Sequence, residues 1–444
     1  MNLPNDFIQK YRKLLKNEAL AFLSSFSQKP ISAFRIESQR FHSDLSIYQP
    51  IPEIPSGYYG KISGKQIEFL SGAVYSQEPS AMYVAQVLAP TSKDFVLDLC
   101  AAPGGKTTYL ASQMGNKGRL LANEIDLKRA KILTENVGRM GYRNVVVSNE
   151  TPENLANKFP TTFSKILVDA PCSGEGMFRK DPKAIKYWSL AYPKSCAKKQ
   201  KRILKAALRM LSPGGTLVYS TCTFSPEENE GVISTILEEN PDLKLSSIPN
   251  PPVGARPGEP SFGNNNPELR KCLRFYPHCF KGEGQFVAKI KKVGHLSKSK
   301  LKTRIRNSRL NSEIKNFSDV ILKEYLKDIF RVSDQYYLLN QHFYEEVKDL
   351  HLIKRGVKIG SIKKNRFIPH QELFLSLPKQ TFKRIISLND EQFKAYCHGE
   401  ELKIGSNETL KSWIALSYQD YIFAFGHLVQ GNIKNFYPKN LRNY

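Results

Sequence analysis

The chain has 444 residues, and its 66 lysines and arginines outnumber its 41 acidic residues, which gives a formal net charge of +25. That length predicts two to four domains, and the charge favours a polyanionic partner, either nucleic acid or a membrane surface. The sequence lacks a bilayer-length apolar stretch, a secretory signal and any C-x-x-C pair among its seven cysteines, so we expect a cytoplasmic protein without structural zinc or disulfides.

The N-terminal part, residues 1–90, is predicted to be a small α+β domain that leads into the rest of the chain and contacts RNA. Apolar positions between Phe7 and Leu23 recur at helical spacing. After Pro30 the chain consists of short extended pieces between prolines and glycines.

Residues 91–292 alternate short apolar runs with amphipathic segments. The runs are typical of strands buried on both faces. We predict strands at 95–99, 118–124, 144–148, 165–169, 215–220 and 285–290, and helices that include 127–140 and 195–211. Such alternation predicts an α/β fold with a doubly wound, mostly parallel sheet, which is a Rossmann-like domain.

The C-terminal third is predicted to hold two more units. Residues 293–375 would form a basic linker and a small accessory domain. Between Lys289 and Arg309 there are nine lysines and arginines and no acid, which suits a solvated linker and a phosphate-facing segment about equally. Residues 376–444 are predicted to be β-rich, with strands at 412–416 and 421–425 that suit a small barrel.

A glycine-rich turn follows the first buried strand. The run Leu-Asp-Leu-Cys-Ala-Ala-Pro-Gly-Gly-Lys-Thr-Thr at 97–108 lets the backbone approach a ligand, and it matches neither the dinucleotide nor the P-loop spacing. In doubly wound folds a carboxylate about 20 residues past such a turn bonds ribose hydroxyls. Glu124 lies 20 residues after Gly104. We predict a nucleoside-cofactor site, with a plain strand-to-helix turn and an acid near a helix N-cap as the alternative.

Two later strands end in segments that carry a cysteine, Asp-Ala-Pro-Cys-Ser-Gly at 169–174 and Ser-Thr-Cys-Thr at 220–223. Cys172 and Cys222 should therefore lie at the sheet edge that holds the cofactor turn, next to Asp169. A single cysteine there would more often be an inert buried thiol. Two of them favour nucleophilic catalysis, such as thiolate addition to carbon 6 of cytosine, which makes carbon 5 reactive toward an electrophilic methyl group.

Five segments, taken together and in order, resemble the Sun-type RNA cytosine-5 methyltransferases, and within them the bacterial RsmF-type ribosomal RNA enzymes. The segments are 75–80, 97–108, 169–174, 220–224 with 227–229, and 281–286. In addition, the segment 431–439 resembles the PUA-like RNA-binding tail of that branch.

The resemblance implies transfer of a methyl group from S-adenosylmethionine to carbon 5 of a cytosine in RNA, with small-subunit ribosomal RNA as the expected partner. It implies that Cys222 is the covalent nucleophile, that Cys172 assists product release and that Asp169 lies between cofactor and cytosine. It also implies that Lys106 reaches toward the base. The implied cofactor-binding residues are Cys100, Ala101, Ala102, Pro103, Gly104, Gly105, Lys106, Glu124, Asn149 and Asp169. We expect a monomer that binds neither a membrane nor a metal.

Two positions depart from the family pattern. Asn149 stands where an Asp is usual, and the segment 34–38 replaces an Arg-Val-Asn-like run, which weakens the expectation of RNA contacts there. In DNA cytosine methyltransferases the nucleophile is a cysteine that follows proline. By that pattern Cys172, which follows Pro171, would be the nucleophile. A non-catalytic RNA-binding ribosome-assembly factor that retains the fold is the alternative function.

A second basic run extends from Arg179 to Arg209. It contains eleven lysines and arginines and one acid, and Leu204 and Leu208 give its helix an apolar face. We predict that its charges point outward and track RNA phosphates beside the active site. A merely solvated helix face is the alternative.

Overall fold

The computed structural model describes residues 2–295, 311–405 and 411–442. Within those ranges, no helix combines the length and the apolar character needed to cross a membrane. Most of the basic run between Lys289 and Arg309 lies outside the described residues, so the choice between linker and phosphate-facing segment stays a prediction.

In its described residues, the N-terminal part combines four α-helices with a four-stranded antiparallel sheet of order β2-β3-β1-β4. Phe7 and Tyr11 are one helical turn apart and give the first helix an apolar face, which is buried against Trp188 and Phe224 of the central part. The elements are α1 (Asn5–Leu15), α2 (Ala19–Ser25), β1 (Ala33–Ile36), β2 (Gln49–Ile51), β3 (Ile54–Tyr59), α3 (Ile67–Leu70), β4 (Val74–Ser76) and α4 (Pro79–Leu88).

The central part contains the predicted doubly wound sheet. Its parallel strands have the order β9-β8-β5-β6-β7, and β13 pairs antiparallel with β9. The elements are β5 (Phe95–Asp98), α5 (Gly105–Gln113), β6 (Arg119–Asn123), α6 (Leu127–Met140), β7 (Val145–Ser148), α7 (Pro152–Lys158), β8 (Phe163–Asp169), α8 (Ala191–Met210), β9 (Leu211–Thr221), α9 (Glu230–Glu239), β10 (Leu243–Leu245), β11 (Arg256–Pro257), β12 (Leu273–Phe275) and β13 (Gln285–Lys292).

Apolar cores cover both faces of this sheet, as the uninterrupted apolar runs predict. The predicted helix at 127–140 is confirmed, because Asp126 caps its N-terminus and Gly141 ends it in the left-handed conformation. The helix α8 begins four residues before the predicted position 195 and β9 begins four residues before 215. Both differences concern the ends of elements, where the hydrophobic pattern of the sequence is least informative.

The C-terminal part forms two further sheets, of order β14-β15-β17-β18 and β19-β21-β22-β23-β20. The elements are α10 (Ser312–Ile321), β14 (Ile329–Val332), β15 (Gln335–Leu338), α11 (Gln341–Val347), β16 (Leu352–Arg355), β17 (Val357–Lys363), β18 (Arg366–Pro369), α12 (Gln371–Ser376), β19 (Ile385–Ser387), α13 (Asp390–His398), β20 (Leu402–Lys403), β21 (Ser412–Tyr418), β22 (Tyr421–Val429) and β23 (Asn432–Asn435).

Two features of this part were not foreseen. The strand β16 pairs antiparallel with β7 and so extends the edge of the central sheet. The last sheet is open where a small barrel was expected, because its short edge strands β19 and β20 do not pair with each other within the described residues. The division into domains at 90, 292 and 375 stays a prediction.

Candidate active site

The strands β5, β6, β8 and β9 run parallel, so their carboxyl ends meet at one edge of the sheet. A cleft of about 600 Å³ opens there, which is a size suited to a nucleoside-sized ligand. The predicted residues that line this cleft are Cys100, Ala102, Glu124, Asp169, Cys172 and Cys222. The edge of the sheet therefore brings both cysteines and the predicted ribose-binding acid together.

The turn after β5 forms the base of the cleft. Gly104 has φ of 111°, a conformation that side-chain-bearing residues rarely adopt, and a Cβ on Gly105 would lie 3.1 Å from the Tyr75 ring. The turn thus requires glycine at 104, whereas a side chain at 105 would have to push the Tyr75 ring aside by a few tenths of an ångström. Ala101 is buried in it and Pro103 is exposed beside it, and neither lines the cleft.

Glu124 follows β6 and is held from two sides. Its carboxylate accepts a hydrogen bond from the Asp126 amide at 3.0 Å and lies 3.5 Å from the Arg129 guanidinium, which also donates to the Ala102 carbonyl at 2.8 Å. Arg129 thereby links the glycine-rich turn to the acid, a role that sequence reasoning missed because no motif contains it.

Asn149 sits behind Glu124 and does not line the cleft. Its side-chain amide donates to the carbonyls of Glu124 and Ile125, at 2.8 and 2.9 Å. Both donor hydrogens are therefore used in fixing the backbone that carries Glu124. Only the amide oxygen of Asn149 is left as an acceptor.

The two cysteines lie side by side at the far end of the cleft. Their Sγ atoms are 3.3 Å apart, and both residues are half-buried. The contact with Cys222, followed by burial, raises the pKa of Cys172, so this thiol retains its proton and can donate it toward the Cys222 sulfur. Burial, and then the nearby Glu124, also raises the pKa of Cys100, which makes it a poor nucleophile.

Asp169 is held in the cleft by three side chains. It accepts hydrogen bonds from Lys106 at 2.6 Å, from Ser220 at 2.6 Å and from Gln285 at 3.3 Å. Burial opposes the charge on Lys106, but the Asp169 carboxylate outweighs that effect and raises the pKa of the ammonium. The pair therefore offers a protonated amine near Cys222.

Two buried carboxylates hold the cysteine-bearing loops in place. Glu175 accepts bonds from Tyr11, from Trp188 at 2.8 Å and from the Phe224 amide at 3.1 Å, so it joins the N-terminal helix to the Cys222 loop. Glu228, which is fully buried, accepts bonds from the Ser173 amide at 2.8 Å and from Gln200 at 2.9 Å. Glu228 belongs to a family-like segment, whereas nothing in the sequence marks Glu175.

Burial also alters the ionisation of Glu228. Loss of solvent raises the pKa of this carboxyl to about 7, against the lowering effect of its hydrogen bonds to Ser173. A similar desolvation raises the pKa of Asp98, under the glycine-rich turn, to about 7. One oxygen of Asp98 has no hydrogen-bond partner.

Arg35 shows what segment 34–38, which differs from the family pattern, does in this protein. The side chain is fully buried and donates to the Gly105 carbonyl at 3.3 Å and to Thr108. Its guanidinium also lies over the Tyr75 and Tyr109 rings, at 5.3 and 5.0 Å. The segment thus supports the start of α5, and Arg35 is not exposed for contact with RNA.

The basic run from Arg179 to Arg209 is mostly exposed, but Arg179 corrects the prediction that its charges all point outward. This guanidinium is buried and pairs with Glu283 at 2.9 Å. Leu204 and Leu208 are buried as predicted. Lys199 and Arg202 are exposed at the wall of the cleft, so a phosphate-tracking surface stays a prediction with these cations as its nearest members.

Comparison with known proteins places this arrangement in a family. Residues 85–291 match the family described as 16S rRNA methyltransferase RsmB/F. Residues 3–79, 316–377 and 383–443 match the N-terminal, first C-terminal and PUA domains of 16S rRNA methyltransferase RsmF. The chain is 30% identical to ribosomal RNA small subunit methyltransferase F of Vibrio campbellii, across 99% of this chain and 97% of that protein.

The chain belongs to the ribosomal RNA small subunit methyltransferase F family. The corresponding Shewanella piezotolerans protein is 29% identical over 94% of this chain and 92% of its own length. A solved methyltransferase homologue from Pyrococcus horikoshii is 32% identical, with a TM-score of 0.57 over 65% of this chain and 94% of that one. NSun6 from the same organism, solved with SFG, is 23% identical with a TM-score of 0.58 over 66% of this chain and 99% of that one, and shares the fold.

Membership in this family makes the chain an S-adenosylmethionine-dependent methyltransferase, with ribosomal RNA as the substrate class. The cleft fits that donor. The turn at its base needs glycine, a carboxylate stands 20 residues further along at the end of the next strand, and Cys100 and Ala102 line the base between them. In doubly wound folds such a cleft, outside the carboxyl ends of the strands, is where a nucleoside binds.

Proposed function

We propose that the protein methylates carbon 5 of a cytosine in small-subunit ribosomal RNA through a covalent bond between Cys222 and carbon 6 of the base. The observation that carries this proposal is the pair of sulfurs 3.3 Å apart at the end of the donor cleft, with the Lys106–Asp169 ion pair beside them. Neither an exocyclic-amine methyltransferase nor a non-catalytic assembly factor has use for two such thiols.

Cys222 acts first. The base, withdrawn from its stack, enters the cleft so that carbon 6 meets the Cys222 sulfur. The Cys222 thiol passes its proton to the Lys106–Asp169 pair, the pair delivers a proton to ring nitrogen 3, and the sulfur forms the bond to carbon 6. The electron pair displaced from the carbon 5–carbon 6 double bond makes carbon 5 nucleophilic.

The donor, when bound, supplies a methyl group on a positively charged sulfur. Glu124 would hold its ribose hydroxyls, and the turn from Cys100 to Gly105 would hold its methionine end. Asp169 lines the same cleft as the two cysteines and holds Lys106, so in this proposal it orients the base through Lys106 while carbon 5 takes the methyl group.

Release of the product then needs Cys172. Carbon 5 must lose its hydrogen as a proton so that the double bond reforms and the carbon–sulfur bond breaks. The Cys172 proton passes to the departing Cys222 sulfur, and the Cys172 thiolate takes the proton from carbon 5. Both cysteines return to thiols, and the proton gained by nitrogen 3 leaves to solvent.

The two cysteines give the proposal its test. We expect Cys222→Ala to abolish transfer of radiolabelled methyl groups from S-adenosylmethionine to small ribosomal subunits and to form no adduct. We expect Cys172→Ala to accumulate a covalent protein–RNA adduct that survives denaturing electrophoresis. Cys279→Ala, at a half-buried cysteine that does not line the cleft, is the matched control and should behave as wild type.

Three outcomes would contradict the proposal. If Cys172→Ala alone prevents adduct formation, the roles of the two cysteines are reversed. If no variant changes methyl transfer, the reaction does not use either thiol. If the wild-type protein transfers no methyl group to subunits or to naked RNA, the assembly-factor alternative stands. Bisulfite mapping of ribosomal RNA from cells that lack the protein would identify the cytosine.

A further inference from the structure

A second large cleft lies in the C-terminal part and shares no lining residue with the active-site cleft. It measures about 920 Å³ and runs between the helix α10, the hairpin of β17 and β18, and the sheet of β21, β22 and β23. Because two different sheets and a helix form its walls, it exists only where the two C-terminal units meet.

The walls of this C-terminal cleft are aromatic. Trp413 is half-buried and its ring centre lies 4.5 Å from that of His427 and 4.9 Å from that of Phe436. On the facing wall, the Phe317 and Phe367 rings are 4.9 Å apart. An aromatic face held rigidly by neighbouring rings is a platform on which another flat ring can stack.

The rim of the C-terminal cleft is strongly basic. Its exposed cations are Lys363, Lys364, Arg366, Lys411 and Lys434, and Glu313 is the one acid among the described residues that line it. Within the described residues none of these five cations forms an ion pair. Lys411, Lys434 and Arg366 line the same cleft as His427, and partial burial followed by their charges lowers the pKa of that imidazole.

We propose that the C-terminal cleft binds a single-stranded segment of the substrate RNA, with one base stacked on Trp413 and the flanking phosphates on Lys411, Lys434 and Arg366. Stacking on an aromatic ring beside a positively charged track is the usual way in which proteins hold unpaired nucleotides. The cleft thus gives the enzyme a second hold on the RNA, away from the methylated cytosine.

Single-stranded RNA fits this cleft better than the other candidate partners. A duplex would present phosphates to the rim but would hide its base faces from Trp413. An apolar peptide would use the aromatic wall but would bring no counter-charge to the five exposed cations of the rim. The inference rests on RNA being the substrate, but it does not depend on the cysteine roles, and its test measures binding without any methyl donor.

Tryptophan fluorescence provides a direct test, because the chain has only two tryptophans and the other, Trp188, is buried in the N-terminal aromatic cluster. In a Trp188→Phe variant, all tryptophan emission comes from Trp413. We expect a mixed-sequence 12-nucleotide RNA to quench this emission saturably, and a blunt RNA duplex of the same length to quench it much less. This measurement leaves Trp413 and its packing intact.

Substitutions at the rim test the electrostatic half of the proposal. The double change Lys411→Gln with Lys434→Gln removes two phosphate contacts, so the slope of log binding constant against log salt should fall by about 1.4 for single strands. Lys394→Gln with Lys439→Gln is the matched control, because both lysines are exposed on the same C-terminal unit without lining the cleft.

A third change tests the stacking itself. Trp413→Ala should weaken binding of the 12-nucleotide RNA about tenfold, with circular dichroism used to establish that the variant is folded. The proposal is overturned if RNA leaves the Trp413 emission unchanged. It is also overturned if the rim pair and the control pair give the same salt slope, or if the duplex quenches as strongly as the single strand.

Discussion

Glu228 joins the Cys172 loop to the helix α8 through bonds to Ser173 and Gln200, and it does so from a fully buried position. Replacing it with glutamine keeps the shape and an oxygen for the Ser173 amide and Gln200. In the wild-type protein the Ser173 hydroxyl donates to Glu228. In the variant this bond can be reversed, with the glutamine amide as the donor. The substitution therefore removes a titrating charge and little else, so it isolates the effect of ionisation on stability.

The magnitude follows from the pKa of this carboxyl, which burial raises from 4.5 to about 7. Below pH 4.5 the group is protonated in both the folded and the unfolded protein. Between pH 4.5 and 7 the unfolded chain releases the proton first, so the free energy of unfolding falls as pH rises. The difference in pKa corresponds to about 3 kcal/mol of unfolding free energy. The wild-type protein loses nearly all of this stability by pH 7, whereas the Glu228→Gln variant, which has no titrating group there, loses none of it.

We expect urea unfolding of both proteins, from pH 4.5 to pH 8, to give equal stabilities at the acid end. Above pH 7 the Glu228→Gln variant should be the more stable by about 3 kcal/mol. Other groups that titrate in this range, Asp98 among them, are common to the two proteins and cancel in the difference. A difference that stays constant across the range would refute the reasoning, because Glu228 would then be ionised or neutral throughout.

Two further predictions concern the donor side of the cleft. Lys106→Gln should lower the single-turnover methylation rate about 100-fold, because the base loses its proton donor. Lys93→Gln, at an exposed lysine, is the control and should leave the rate unchanged. Equal rates for the two variants would show that Lys106 takes no part in the reaction. Arg35→Met should lower the free energy of unfolding in urea by about 2 kcal/mol, since α5 loses the hydrogen bonds at Gly105 and Thr108. It should also weaken the binding of S-adenosylhomocysteine, measured by calorimetry. Unchanged stability and affinity would contradict the supporting role of Arg35.

The central sheet and its working edge were predictable because the pattern is strong there. Strands buried on both faces are continuous apolar runs, and the glycine-rich turn and both cysteine segments come directly after such runs. Parallel strands end at the same edge, so the sequence alone predicts that Cys172, Cys222 and Glu124 share one cleft. What they do there was inferred from resemblance, and the residue roles stay proposals.

The supporting contacts could not be predicted, for physical reasons that differ from case to case. Arginine is almost never fully buried without a partner, so nothing indicated that Arg35 lies inside the protein. The strand β16 is the four-residue run Leu-Ile-Lys-Arg, too short and too basic to be recognised as the edge of a distant sheet. Glu175 is a lone acid after a glycine, and only the fold gathers its donors from three separate segments.

The hydrogen bonds to Glu175 connect the N-terminal helix α1 to the loop that carries Cys222. Lys10 reaches Ser225 at 2.6 Å and Glu227 at 2.9 Å, and Tyr11 bonds Glu175, which accepts from the Phe224 amide. One turn of α1 thus contacts the loop just after Phe224 and supports Phe224 itself through Glu175. Phe224 in turn follows Cys222 by two residues. Since a buried carboxylate without its donors is costly, we expect loss of α1 to release the loop that carries Cys222 and to lower methyl transfer, whether or not the N-terminal part touches RNA.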